Sequence, residues 1–139
     1  EADDAATAPE RPSSDVLVVQ EYIVYSASFN VPAFYFTAHD TNGTPCSLTD
    51  LVTSSFFKVK PPAESQTTNY ALTLPRIPFP LLSQGDHPTL GTPCWYFHPC
   101  ETEVAVDEFM SEVEERDWTE EMRLVRWMEL WVMIVGSVL

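Results

Sequence analysis

Positive charge is scarce in this chain. Seven Lys and Arg stand against 21 Asp and Glu in 139 residues, a formal net charge of −14, and Lys58 and Lys60 are the only lysines. No basic stripe exists to neutralise phosphates, which argues against nucleic acid as a partner. Anionic membrane surfaces are disfavoured for the same reason. Long apolar runs are lacking too. The longest, residues 130–139, is far short of the about 20 residues that a spanning helix needs, so no membrane insertion is expected. Cysteine is sparse and odd in number, with Cys46, Cys94 and Cys100 alone. Together with the lack of a signal-peptide pattern, that reads as a reducing, cytoplasmic compartment. Asparagine is missing altogether after Asn69.

What is present describes a folded domain. Hydrophobic residues make up 45% and aromatics 12% of the chain, which excludes disorder and allows one sizeable core. Residues 1–14 are small, acidic and proline-bearing and read as a flexible lead-in; residues 15–139 read as a single domain. Segments 16–20 and 21–28 are rich in Val, Ile and Tyr and predict one long strand or two short ones. Pro32 marks a strand edge, because it has no N–H for a central ladder. Residues 33–39 are the next strand, and Asp40-Thr41-Asn42-Gly43 supplies a turn into an antiparallel meander. Ser47 is placed to cap a short helix over 48–52. Segment 61–69 reads as a surface loop. Segment 70–82 carries Pro75, Pro78 and Pro80, which excludes a central strand. Segment 84–93 reads as another loop, and 93–97 as a strand. Two helices close the chain. One has Thr102 as its cap and a stripe of Val106, Phe109, Met110 and Val113. The other, near 120–135, has Thr119 as its cap, a stripe of Leu124, Trp127, Met128, Trp131 and Val135, and Gly136 as its stop. Strands followed by helices, with no internal repeat, predict an α+β fold with C-terminal helices on one face of an antiparallel sheet.

The chemistry concentrates in Trp95-Tyr96-Phe97-His98-Pro99-Cys100-Glu101-Thr102. A strand stops at His98-Pro99 and a helix follows at once. Cys100 therefore sits on a corner beside the positive end of a helix, where a thiolate is favoured. Cys94 lies inside the aromatic strand and reads as a core or resolving cysteine; Cys46, after Pro45, reads as incidental. His87, Cys94, His98 and Cys100 are near in sequence, but their spacing matches no zinc knuckle, so no metal is expected. A thiol hydrolase would need His39, His87 or His98 as base and a third group to orient it. His98, two residues before Cys100 on an extended chain, is expected to point to the other side. Ten of the 21 acidic residues lie between positions 101 and 121. They are either a solvated helix face or a docking surface for a lysine-bearing substrate on a basic protein partner.

These residues resemble the autophagy-related protein 10 family. The resemblance is carried by His98-Pro99-Cys100-Glu101-Thr102 after the run Ser83 through Pro93, by Glu21 through Phe36, by Asn42-Gly43-Thr44-Pro45 leading into Leu48-Thr49-Asp50-Leu51, and by Trp127 through Val138. It implies a ubiquitin-conjugating-enzyme-like fold, here lacking the usual N-terminal helix. It implies that Cys100 accepts the ubiquitin-like autophagy-related protein 12 as a thioester from the activating enzyme, autophagy-related protein 7. The modifier then passes to a lysine of autophagy-related protein 5. ATP is used only upstream, so no cofactor of its own is implied, and the setting is the cytoplasm at sites of autophagosome formation. Such enzymes usually carry an asparagine beside the cysteine. Here His98 is the nearest polar side chain for that work, and Tyr35 in Phe34-Tyr35-Phe36 is the second candidate. Two other readings remain: a thiol hydrolase, and a partner-binding module of the same fold without catalysis.

Overall fold

A computed structural model describes residues 16–139. The lead-in over 1–14, and with it the expected lack of a first helix, lies outside the described residues.

The described residues open with strand β1 (Val18–Ser26) and turn through Asn30, at φ 55°, into strand β2 (Val31–His39). The pairing runs the full length of both strands, from Val18 opposite His39 to Ser26 opposite Val31. Pro32 lies inside β2, which starts at Val31, ahead of the expected start at residue 33. It is tolerated because there β2 is bonded to β1 alone, the contact with its other neighbour being confined to Tyr35 and Phe36. The turn at 40–43 forms, with Gly43 at φ 83°, but the chain beyond it does not extend the meander. It makes a bridge of Pro45 to His39 and then helix α1 (Leu48–Thr53). Ser47 caps α1 in a complete capping box with Asp50.

The remaining strands are β3 (Gln66–Thr67), β4 (Ala71–Thr73), β5 (Leu82–Asp86) and β6 (Pro93–Phe97). The sheet is antiparallel in the order β1-β2-β6-β5-β4-β3. Three expectations fail here. Segment 61–69, read as a surface loop, contains β3, which pairs with β4 as the exposed edge of the sheet. The proline-bearing segment contributes β4 to the interior of the sheet, because its three strand residues end before Pro75. The segment from 84 is not a loop, since β5 pairs with β6 from Leu82–Phe97 to Asp86–Pro93. Gly85 does not break β5; it makes room in it. A Cβ there would lie 2.8 Å from Cε1 of Tyr96.

Helices α2 (Pro99–Val113) and α3 (Glu120–Val138) complete the fold. The core forms between one sheet face and these helices. Phe34, Phe36, Leu72, Leu82, Trp95 and Phe97 meet Val106 and Met110 of α2, Leu130, Trp131 and Val135 of α3, and Leu48 and Leu51 of α1. Each such side chain contributes about 1.5–3 kcal/mol through burial. The α+β class and the side on which the helices pack agree with the sequence. Several details do not. Helix α2 begins at Pro99, so its cap is His98 and Thr102 is buried within it, donating its hydroxyl to the Pro99 carbonyl at 3.0 Å. Phe109 and Leu124 are exposed (44% and 64%), while Leu130, outside the expected stripe, is buried. Gly136 does not stop α3. Lys58 satisfies the last turn instead, its backbone N–H donating to Val138 O at 2.7 Å and its Nζ to Gly136 O at 2.8 Å.

Candidate active site at the β6–α2 junction

Strand β6 ends at Phe97, and the two residues that follow decide the geometry. Pro99 occupies the first helical position, where its fixed φ suits the helix and its missing N–H costs nothing. The chain therefore bends immediately after His98, and Cys100 falls in the first turn of α2. Its thiol is partly exposed. Bending at Pro99 also brings His98 and Cys100 to the same side, against the expectation for an extended chain. Sγ of Cys100 is in hydrogen-bond contact with Nδ1 of His98, and Nε2 lies 3.9 Å away. The backbone N–H of Cys100 donates to Nδ1 at 3.4 Å. An atom that accepts an N–H carries no proton, so in this arrangement neutral His98 holds its hydrogen on Nε2. Nδ1 then presents a lone pair to the thiol, which suits a base at that atom.

The helix start and the acidic surroundings act in opposite directions on Cys100. Burial pushes the thiol up, and the Glu101 carboxylate pushes it further. The backbone N–H groups of Cys100 and Glu101 pull it down, and Glu103 adds a smaller upward push. The net direction is upward. The thiolate that the helix N-terminus favours is thus not the resting form expected from the sequence. Burial is the largest of these effects, and acids that follow a helix-start cysteine directly lie close enough to oppose the dipole.

His98 is held from two sides. Phe29, in the β1–β2 turn, meets its ring edge-on with centroids 5.5 Å apart, and Phe79, in the proline-bearing loop, stacks on it at 5.9 Å and 24°. Neither phenylalanine was legible as part of the site, since each is remote in sequence. The only signal was Phe79 itself, an apolar residue flanked by Pro78 and Pro80.

Tyr35 is placed elsewhere. Its ring stacks on Tyr96 at 5.2 Å and approaches His87 at 5.8 Å, and His87 in turn meets Tyr22 at 4.8 Å. The alternation along β2 puts this cluster on the sheet face opposite Phe34 and Phe36, away from the helices. Burial, then Tyr96 and Cys94, push the Tyr35 hydroxyl up. His87 is buried, and its Nδ1 accepts the N–H groups of Thr89 (3.1 Å) and Leu90 (3.0 Å), so it braces the β5–β6 loop. Cys94 is buried in β6, while Cys46 packs at the margin of the core. Among the described residues no three His, Cys, Asp or Glu side chains gather to hold a metal ion. None of the helices among them is long and apolar enough to cross a membrane. An apolar cavity of 320 Å³ between Phe57, Leu72, Leu81 and Val138 has Lys60 on its wall, but Nζ of Lys60 is taken by the Val52 and Ser54 carbonyls. Among the described residues, Cys100 with His98 is an arrangement suited to forming and breaking a covalent bond.

The model of the family described as autophagocytosis associated protein, active-site domain, matches residues 1–139. The chain is 29% identical over 136 residues to the ubiquitin-like-conjugating enzyme ATG10 of Homo sapiens, covering 98% of this chain and 54% of that protein. It is 30% identical over 89 residues to the protein of that name from Dictyostelium discoideum, covering 63% and 34%. With the one from Arabidopsis thaliana it shares 28% over 117 residues, covering 84% and 46%. The chain thus spans about half, or less, of the length of these relatives.

Proposed function

The chain belongs to the family of autophagocytosis associated proteins with this active-site domain, and from that premise we propose that it is a ubiquitin-like-protein conjugating enzyme of autophagy with Cys100 as its acceptor. The observation that carries the reading is the convergence on one partly exposed thiol of a histidine nitrogen and the first N–H groups of a helix. In the first step the Cys100 thiol passes its proton to Nδ1 of His98, and the sulfur attacks the C-terminal thioester carbonyl that the activating enzyme presents. A C–S bond forms to Cys100, and the C–S bond to the activating enzyme's cysteine breaks; that sulfur leaves as thiolate and takes the proton from Nδ1, directly or through water, so that His98 is neutral again for the second step. In the second step an acceptor lysine amine attacks the new thioester. The C–N bond forms, the C–S bond breaks, Cys100 leaves as thiolate, and the amine proton goes to Nδ1 or to water.

The partners in this reading are autophagy-related protein 7 as donor, autophagy-related protein 12 as modifier and autophagy-related protein 5 as acceptor. No cofactor is needed beyond the ATP spent upstream. The test is incubation with the activating enzyme, the modifier and ATP, followed by a non-reducing gel. A reducible adduct is expected with the wild-type chain and a reductant-stable oxyester with Cys100→Ser, while Cys94→Ala keeps the reducible adduct. No adduct on wild type would leave a partner-binding module. The hydrolase reading gains a histidine within reach of the thiol but lacks the third group: among the described residues the hydrogen bonds of the His98 ring all go to Cys100.

A further inference from the structure

In a thiol–imidazole pair the ring needs a hold that fixes which nitrogen faces the sulfur, and elsewhere a carboxylate or amide supplies it. Here the hold comes from two aromatic rings mounted on separate loops. Phe79 lies between Pro78 and Pro80. Pro78 fixes the backbone before it, and Pro80 confines Phe79 itself to extended geometry, so the ring stands on a stiff mount. The same loop carries Arg76 at φ 65°, a conformation that side chains other than glycine seldom take. Phe29 is braced independently. The next residue, Asn30, is held at φ 55° while its Oδ1 accepts the Tyr25 hydroxyl at 2.9 Å. The two loops come from different parts of the sheet and deliver their rings to the same imidazole. Both phenylalanines stay largely exposed, at 41% and 55%, so neither is placed there by core packing.

We propose that Phe29 and Phe79 are positioning residues that clamp the imidazole of His98 so that Nδ1 faces the sulfur of Cys100, in the role that a polar orienting group fills in other thiol sites. This rests on the conjugating-enzyme reading for its kinetic consequence, but not for its structural one. With the sulfur acylated, a clamped ring still presents Nδ1 at the place where the acceptor amine arrives. A freed ring rotates and divides its time between tautomers.

The experiment uses the whole chain with ¹⁵N-labelled histidine and compares wild type with Phe79→Ala, Phe29→Ala, the double variant and Phe79→Tyr. In wild type His98 is expected to show one tautomer, with the hydrogen on Nε2. The alanine variants are expected to show averaged tautomers, and Phe79→Tyr to restore the single form. Single-turnover discharge of the loaded chain onto lysine should slow about tenfold in the double variant, within the range that misplacing a catalytic group costs. Loading should slow less. An unchanged His98 tautomer in the double variant overturns the proposal, as does averaged tautomerism with a wild-type discharge rate. If wild type forms no adduct at all, the conjugating reading fails, while the nitrogen signals still decide whether the clamp exists. Circular dichroism and the signals of His87, which neither phenylalanine touches, separate loss of the clamp from loss of the fold.

Discussion

Glu101 and His98 flank Pro99-Cys100 and act on the same sulfur with opposite effect. Nδ1 of His98 offers a base, whereas the Glu101 carboxylate, after burial, is the main reason that the thiol is held up. A raised thiol is protonated at neutral pH, so its reactivity is lost as pH falls and gained as pH rises toward its own titration. Removing the Glu101 charge lowers the thiol and moves that gain to lower pH. Glu101→Gln should therefore be alkylated faster by iodoacetamide at neutral pH, with the pH profile displaced to the acid side. A partly exposed carboxylate is worth at most about 1 kcal/mol, which limits the gain to less than about tenfold. A profile unchanged in Glu101→Gln would mean that the Glu101 charge does not reach the thiol. A low-lying thiolate is not what this chemistry requires. Thiolate nucleophilicity falls with its pKa, and a sulfur that must also leave from a thioester works between the two demands.

At the scale of elements, what was legible followed local chemistry. The β1 and β2 runs, the Ser47 and Thr119 caps and the presence of a helix after the His98-Pro99 break could all be read, because each depends on a few adjacent residues. What was not legible depends on distant ones. Strand β5 was hidden by Gln84-Gly85-Asp86, which carries no strand preference, and is held instead by five pairs with β6. The end of α3 passes Gly136 because Lys58, far back in the chain, satisfies its carbonyls. His98 as a cap escaped notice because its side chain acts only once Pro99 has bent the backbone. The site was half legible for the same reason: Cys100 declares itself in sequence, whereas Phe29 and Phe79 reach His98 only through the fold. The role of Gly85 can be tested. Gly85→Ala must displace the Tyr96 ring, which stacks on Tyr35, and overpacking of this kind costs about 1–3 kcal/mol. The urea midpoint should fall accordingly. The alkylation rate of Cys100 should stay as in wild type, because the displaced ring lies on the face away from the helices. A Gly85→Ala chain of undiminished stability would show that the Tyr96 ring moves freely.

At the scale of the whole molecule, the charge of −14 is not a uniform coat. Ten of the acids fall between positions 101 and 121, along α2 and its exit, and Glu101 and Glu103 of this run act directly on Cys100, where a lysine would approach. Some of these acids have structural duties. Asp107 accepts the Trp127 indole N–H at 3.0 Å and ties α2 to α3, and Glu114 pairs with Arg123 at 2.6 Å. Glu103 and Glu108 have no such bond to α3 and are the better probes of the field. Exposed charge acts on encounter more than on affinity and is screened beyond about 8 Å at physiological salt. Discharge of the loaded chain onto a lysine-bearing acceptor should therefore slow as salt is raised, by about three- to tenfold from low to physiological ionic strength. The variant Glu103→Lys with Glu108→Lys should slow discharge at low salt and flatten its salt dependence, while loading changes less. Glu103 also presses on the Cys100 thiol, so the alkylation rate of the same variant must be measured beside it. A discharge defect that remains after that correction belongs to the encounter. A rate indifferent to salt and to charge reversal would make the acidic run a solvated helix face, with the choice of lysine resting on contacts nearer the sulfur.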